Sequence, residues 1–283
     1  MQVIGVDSGR QGVKAVTNGN RRIFIPSVVG EWRKRKISEG GDYEVLINGQ
    51  QYFVGELAAM ESRFRREMTS RSKIHEETRV LTITAIALLA TPGEEIRIVT
   101  GLPVDQHILE IKQEYTRLLS GCHTIKINDG PQREIVLTDN GIAITIEGAG
   151  AYWSEVLRER KFSGKFRVLD LGSRTINALT INGTRFVDVD SFNLDYGCLE
   201  VQNACNNPND GVAEQLARRI YAELSQRWMD LNDELVLLAG GGALLMEQWL
   251  TRHFKGAQIL EDPVYANALG YYLMGKAKWQ KQS

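Results

Sequence analysis

Asp7 lies in IGVDSGRQGVKAV (Ile4 to Val16) and Asp170 in VLDLGSRTINAL (Val168 to Leu179), and the second segment is a weakened copy of the first. Asp7 aligns with Asp170, Gly9 with Gly172, Val13 with Ile176 and Ala15 with Ala178. In the first turn, Asp7-Ser8-Gly9-Arg10-Gln11-Gly12, backbone N–H groups can form a concave anion nest if glycine supplies the unusual dihedrals. Lys14, one strand later, could reach terminal phosphates as a point charge. A carboxylate beside a polyphosphate makes sense with a divalent cation between them, and Mg²⁺ accepts one or two carboxylates plus phosphate oxygens while keeping several waters. Asp7 thus reads as an outer-sphere magnesium anchor or, from this copy alone, equally as a turn aspartate capping local N–H groups.

The second copy shifts that balance. In Asp170-Leu171-Gly172-Ser173-Arg174-Thr175, Asp170 can complete the metal environment while Gly172 and Ser173 line phosphates from the other side. Asn177 stands where the first copy has Lys14, so the duplication is asymmetric, with one lysine for one nucleotide. Arg10 and Arg174 could also touch phosphates, although arginines are common in surface loops. Gly240-Gly241-Gly242 follows the apolar LVLLA and opens a helix with Ala243. Such a turn lets backbone approach closely, and the helix N-terminus favours a phosphate or ribose edge; it also reads as an ordinary strand-to-helix turn. Glu147 ends GIAITIE before Gly148-Ala149-Gly150. A carboxylate there can orient or deprotonate a water beside a γ-phosphate, or be a surface glutamate favoured by the helix macrodipole.

The elements that carry these residues repeat as well. Each copy reads as strand, Asp-x-Gly turn, strand, Asn-Gly turn and strand, continuing into TNGNRR (Thr17 to Arg22) and INGTR (Ile181 to Arg185). Tyr43 to Ala58 is a further Asn-Gly hairpin, and Thr78 to Ala90 a buried helix. Glu95 to Val104 is a strand ending in a Gly-Leu-Pro turn, followed by helical spacing from Asp105 to Leu119. Short strands at Thr124–Asn128 and Glu134–Leu137 precede GIAITIEG and a helix from about Ala149 to Arg160. After the second copy come an insertion around Asp195 to Pro208 and a helix with Asp210 as N-cap. The strand, glycines and helix of Glu234 to Leu250 follow, then a last helix opened by Asp262 and Pro263. The plan is α/β, with residues 1–148 plus 262–283 as one domain and 149–261 as the other, around a nucleotide cleft.

A chain of 283 residues with 43% hydrophobic content can fill two cores, and a net charge of −1 gives no field for nucleic acid or an anionic membrane. No signal pattern opens the sequence and no apolar run reaches membrane-span length, so a cytoplasmic protein without membrane attachment is expected. Cys122, Cys198 and Cys205 lack zinc or CxxC spacing and read as reduced, mostly buried thiols. The arginine-rich span Arg63 to Arg79 reads as a solvated face, with contact to an acidic subunit or adaptor as the sharper alternative. Direct nucleic-acid binding is not expected.

Together these pieces resemble the actin-like ATPase superfamily, whose duplicated RNase H-like domains carry two phosphate turns, two connecting helices and an adenosine turn. The corresponding segments are Asp7–Lys14, Asp170–Thr175, Glu147–Arg160, Asp262–Met274 and Ala239–Ala243. IGVDSG, TGLPV (Thr100 to Val104) and IEGAGAYW (Ile146 to Trp153) are similar to the plasmid-segregation actins of the ParM/StbA kind. The resemblance implies binding of ATP or GTP with Mg²⁺, hydrolysis, self-assembly into filaments, and movement of plasmid DNA through an adaptor on a centromere-like site. It implies that Glu147 positions the hydrolytic water, that Asp7 and Asp170 are metal aspartates, with Asp170 also catalytic, and that Lys14 is the phosphate lysine. The competing reading is a small-molecule kinase of the same superfamily.

Overall fold

A computed structural model of the chain describes residues 1–18, 21–37, 43–68, 70, 72–156, 164–204, 210–228 and 234–279. Two compact units result: 1–102, 106–145 and 271–283 form the first, and 103–105 with 146–270 the second. Residues 103–105, 146–148 and 262–270, expected above in the first domain, fall in the second of these units.

The first unit opens with β1 (Gln2–Ser8), β2 (Gly12–Val16), β3 (Arg22–Pro26) and β4 (Val28–Glu31), followed by the hairpin β5 (Tyr43–Ile47) and β6 (Gln50–Val54). Asn48 and Gly49 between them have φ of 48° and 84°, the pair of positive values that a type I′ turn needs. Then come α1 (Glu56–Glu61), β7 (Arg66–Glu67), α2 (Glu76–Leu89), β8 (Ile96–Leu102), α3 (Leu109–Leu119), β9 (Gly121–Ile127), β10 (Arg133–Leu137) and β11 (Ile142–Ile146). One sheet runs β11-β8-β1-β2-β3, with β1 antiparallel to β2 and parallel to β8; the other runs β10-β9-β5-β6-β4-β7. Helix α2 covers β1 to β3, and its Val80, Leu81, Ile83 and Ile86 are fully enclosed. It begins where the His75 ring accepts from the Thr78 N–H. The arginine-rich span is partly neutralised from within: Arg66 pairs with Glu77 at 2.8 Å and Arg79 with Glu76 at 2.5 Å.

The second unit holds α4 (Ala149–Val156), β12 (Lys165–Leu171), β13 (Ile176–Asn182), β14 (Arg185–Phe186), β15 (Phe192–Leu194), α5 (Leu199–Ala204), α6 (Asp210–Ser225), β16 (Val236–Ala239), α7 (Ala243–His253) and β17 (Ala257–Ile259). Helix α8 (Ala266–Trp279) contributes residues 266–270 here and 271–279 to the first unit. The sheet order is β14-β13-β12-β16-β17, and β15 pairs with the other end of β13. A core of Leu169, Leu171, Ile220, Leu224, Met246 and Leu250 lies under α6 and α7.

Three local expectations change. The second-copy hairpin turns one residue later than Asn-Gly: Asn182 pairs with Arg185, leaving Gly183 and Thr184 as the loop, and only Gly183 has positive φ, 62°. That is the pattern of a type II′ turn with glycine first. The last helix starts at Ala266 rather than at Asp262, because the Pro263 carbonyl is taken by the Gly240 N–H at 2.8 Å instead of entering a helical ladder. Cys122 is exposed, and only Cys198 of the two described cysteines is buried. Asp210, expected as an N-cap, is the first residue of α6; Cys205, the Gly19 turn and residues 157–160 of the expected connecting helix lie outside the described residues.

Candidate functional site

In the first unit, the β1–β2 register sets Asp7 opposite Lys14, so both side chains leave the same face of the sheet. Lys14 Nζ lies 3.2 Å from Asp7 Oδ2, and both groups are largely enclosed. The four-residue tip, Gly9 to Gly12, is tied back by Ser27, whose hydroxyl donates to the Gly9 carbonyl at 2.5 Å and whose N–H donates to Gln11 at 3.0 Å. Neither Gly9 nor Gly12 has the left-handed φ expected of a nest. Gly9 is required for space: a Cβ there would sit 2.8 Å from the Gly12 carbonyl and 2.8 Å from Lys14 Nζ. Ser8 turns its hydroxyl into the core, 3.0 Å from Thr82 Oγ1 and 3.3 Å from the Tyr115 hydroxyl. Arg10 is partly exposed and Gln11 exposed at the tip.

The second unit repeats the geometry with different chemistry. Asp170 faces Asn177 across β12 and β13, and Asn177 in turn faces Asn193 across β13 and β15. A polar row thus runs over one face of three strands. The tip Gly172–Thr175 closes when the Gly172 N–H donates to the Asp170 and Thr175 carbonyls, each at 3.1 Å. A Cβ on Gly172 would come 2.6 Å from the Thr175 carbonyl, so here too glycine supplies close approach rather than left-handed φ. Cys198 and Leu199 donate backbone N–H groups to Gly172 and Ser173 at 2.9 Å, bracing the tip while Ser173, Arg174 and Thr175 stay half-buried.

The glycine triplet continues β16, whose Ala239 lies beside Asp170. Gly240 does need its backbone freedom: φ is 82°, and a Cβ would lie 2.7 Å from Asp170 Oδ1. Its N–H is bound to Pro263, and that of Gly242 to Leu171 at 2.9 Å, whereas Gly241 borders open space. Ala243 begins α7, and its N–H donates to the Gly240 carbonyl at 3.1 Å. Gly242 packs against Cys198, whose thiol is pushed up to about 12 by burial first and by the Asp170 carboxylate second.

Glu147 is not a surface residue; it is 7% exposed and belongs to a hydrogen-bonded network. Asn177 Nδ2 donates to Glu147 Oε2 at 3.1 Å and to Asp170 Oδ2 at 3.3 Å. Asn267, on the first turn of α8, donates its Nδ2 to the same Asp170 oxygen at 2.9 Å. Its Oδ1 accepts from the N–H groups of Gly148 at 3.1 Å and Ala151 at 3.3 Å, so it caps α4 from another helix. The helices touch through glycine: a Cβ on Gly150 would overlap the Asn267 carbonyl, and one on Gly270 the Gly150 carbonyl. Asn267 and Asn193 carry no local signal in the sequence, and Cys198, expected only as a buried thiol, lies beside Asp170 and the second tip. Among the described residues no three His, Cys, Asp or Glu side chains cluster as metal ligands.

The mixed α/β arrangement with its repeated Asp-x-Gly hairpins is the actin-like fold. The sequence model described as the N-terminal domain of actin-like proteins matches residues 5–150, just over half of the chain, and the protein belongs to that family. A 15-stranded ParM filament from Clostridium botulinum is 24% identical, with 98% of this chain and 99% of that chain covered and a TM-score of 0.84. Apo psk41 ParM is 21% identical over 99% and 98%, with a TM-score of 0.80. The archaeal actin homologue Ta0583 in complex with ADP is 21% identical over 100% of both chains, with a TM-score of 0.78. No curated protein sequence matches the chain. No helix among the described residues is long and apolar enough to cross a membrane.

Proposed function

We propose that the protein is a nucleoside triphosphatase that polymerises with ATP or GTP and Mg²⁺ and disassembles after hydrolysis. The observation that carries this reading is the pairing of two carboxylates, Glu147 and Asp170, through one amide beside the hairpin tip Gly172–Thr175. Lys14 is assigned to the phosphates, and Asp7 and Asp170 to the hydrated cation, which offsets phosphate charge when bound. Tip residues Ser8 to Gln11 and Gly172 to Thr175 serve the phosphates mainly through backbone, and Gly240 to Ala243 the nucleoside. Glu147 orients the attacking water and accepts its proton. Support for assembly comes from similarity to a ParM filament, and support for nucleotide binding from similarity to an ADP complex. On this reading the filament is an element of plasmid segregation, acting through an adaptor bound to DNA.

Sedimentation and light scattering with ATP, GTP and ADP, run beside phosphate release, test the proposal. Polymer should form with a triphosphate, and Glu147→Ala should still assemble while releasing phosphate about a hundredfold more slowly. A protein that stays monomeric with every nucleotide but phosphorylates a small molecule would be a kinase, and the filament reading would be wrong.

A further inference from the structure

We infer that Asn193 is a positioning residue for hydrolysis: it braces the Asn177 amide in the place from which its Nδ2 meets the two carboxylates. This rests on the hydrolytic reading of Glu147 given above.

The logic begins at a group whose polarity is not adjustable. The Asp105 N–H can only donate, and it lies 3.2 Å from Asn193 Oδ1. That contact turns Asn193 Nδ2 toward Asn177, where it donates to Oδ1 at 2.6 Å. Asn177 must then present Nδ2 to Glu147 and Asp170, at 3.1 and 3.3 Å. An amide's oxygen and nitrogen are nearly the same size, so shape alone does not choose between the two orientations. The donors on the Asp105 and Asn193 side and the two acceptor carboxylates select the same one, and Asn193 holds the amide there. A flipped Asn177 would set its carbonyl oxygen against two carboxylates at the same distances, replacing two attractions with two repulsions.

Both amides sit on one face because they are cross-strand neighbours, Asn177 opposite Asn193 and Asp170 opposite Asn177. Asn267 reaches Asp170 by an independent route, with its own orientation set by the Gly148 and Ala151 N–H groups. Asp170 is therefore held by Asn267 as well, and the contact that Asn177 makes with Glu147 is the one braced by Asn193. Asn193 touches neither carboxylate and acts only through its neighbour.

Asn193→Asp is the discriminating variant. Its carboxylate keeps the bond from the Asp105 N–H but cannot donate, so it sets an acceptor against Asn177 Oδ1 and should displace the amide it normally braces. Phosphate release at saturating nucleotide should fall about tenfold or more while the nucleotide KM stays within about twofold, as for loss of an outer hydrogen-bond partner. Asn193→Leu, which removes the donor without adding an acceptor, should cost less. A second readout needs no nucleotide: the Asn177 carboxamide ¹H–¹⁵N pair, identified by its loss in Asn177→Leu, should exchange slowly in the wild type. In Asn193→Asp it should shift and exchange on the order of tenfold faster. Wild-type turnover in Asn193→Asp beside a slow Glu147→Ala overturns the inference alone. So does a KM that rises with the loss of kcat, which would mark general structural damage. Glu147→Ala hydrolysing like the wild type would remove the hydrolytic reading itself, and the relay with it.

Discussion

The two hairpins share register and tip length, yet they hold their aspartates by opposite means. In the first, Asp7 lies against a cation, Lys14 Nζ at 3.2 Å. In the second, the position of Lys14 is taken by Asn177, and Asp170 accepts from two neutral amides, Asn177 and Asn267. A lysine is a mobile point charge that can leave its carboxylate for a phosphate. Amides locked by backbone N–H groups have no such freedom and keep a carboxylate in one orientation. The first hairpin is thus suited to follow a ligand's charge, and the second to hold fixed geometry beside Glu147.

The sharpest way to break that contrast is to remove the fixed carboxylate. Asp170→Ala leaves Asn177 and Asn267 without their shared acceptor, and nucleotide turnover should drop by about 10²–10³. Retention of Mg²⁺-dependent turnover, measured by phosphate release, would show that the second hairpin is only scaffold. Next in size is the cation. Lys14→Asn gives the first copy the residue of the second, removing a charge-assisted contact worth about 1.5–3 kcal/mol, or roughly ten- to hundredfold in Kd. Nucleotide affinity should fall by that factor in fluorescence or calorimetric titration. Equal affinity would mean that Lys14 serves Asp7 alone.

A smaller effect separates packing from chemistry. Gly270→Ala forces a methyl into the Gly150 carbonyl where α8 meets α4, and should cost about 1–3 kcal/mol in urea unfolding. Gly49→Ala in the first unit meets no atom within 4 Å, but it must accept a φ of 84°. The left-handed region costs an alanine roughly 1–2 kcal/mol. If Gly270→Ala proves neutral, the helices separate more readily than their glycine contact implies.

How far the sequence revealed this depends on the range of each interaction. The duplicated strands, the Asn48-Gly49 turn and the buried α2 are written in local periodicity and turn chemistry, and they appear where expected. Gly9 and Gly172 were legible as special positions, but glycine type alone does not separate left-handed φ from lack of room, and here lack of room decides. The Asn182-Gly183 pair misled because register, set by strand pairing, moved the loop one residue on. Asn193 lies in a three-residue strand, and Asn267 caps a helix more than a hundred residues before it. Nothing in the flanking residues announces either contact.

The smallest predicted effect is a pH dependence confined to the second hairpin. Cys198 packs behind Gly242, where burial and the nearby Asp170 carboxylate raise its thiol to about 12 from 9.0. Below pH 9 the thiol is protonated in both folded and unfolded chains and contributes no pH dependence. Above that, the unfolded chain loses the proton while the folded one keeps it, so stability falls as pH rises toward 12, by at most about 1.4 kcal/mol per unit. In a background with Cys122 and Cys205 replaced by serine, the stability difference between Cys198 and Cys198→Ala should be flat from pH 7 to 8.5. Over the next unit and a half it should shift steadily in favour of the alanine variant. The window stops short of Tyr52, which burial and the adjacent Glu76 also hold near 12, and the paired comparison cancels its contribution. Iodoacetamide labelling gives the kinetic counterpart: in the native chain exposed Cys122 should react while Cys198 waits for unfolding. A Cys198 that labels as fast as Cys122 would mean that the second tip opens readily, and the contrast between a movable lysine in the first hairpin and fixed amides in the second would be lost.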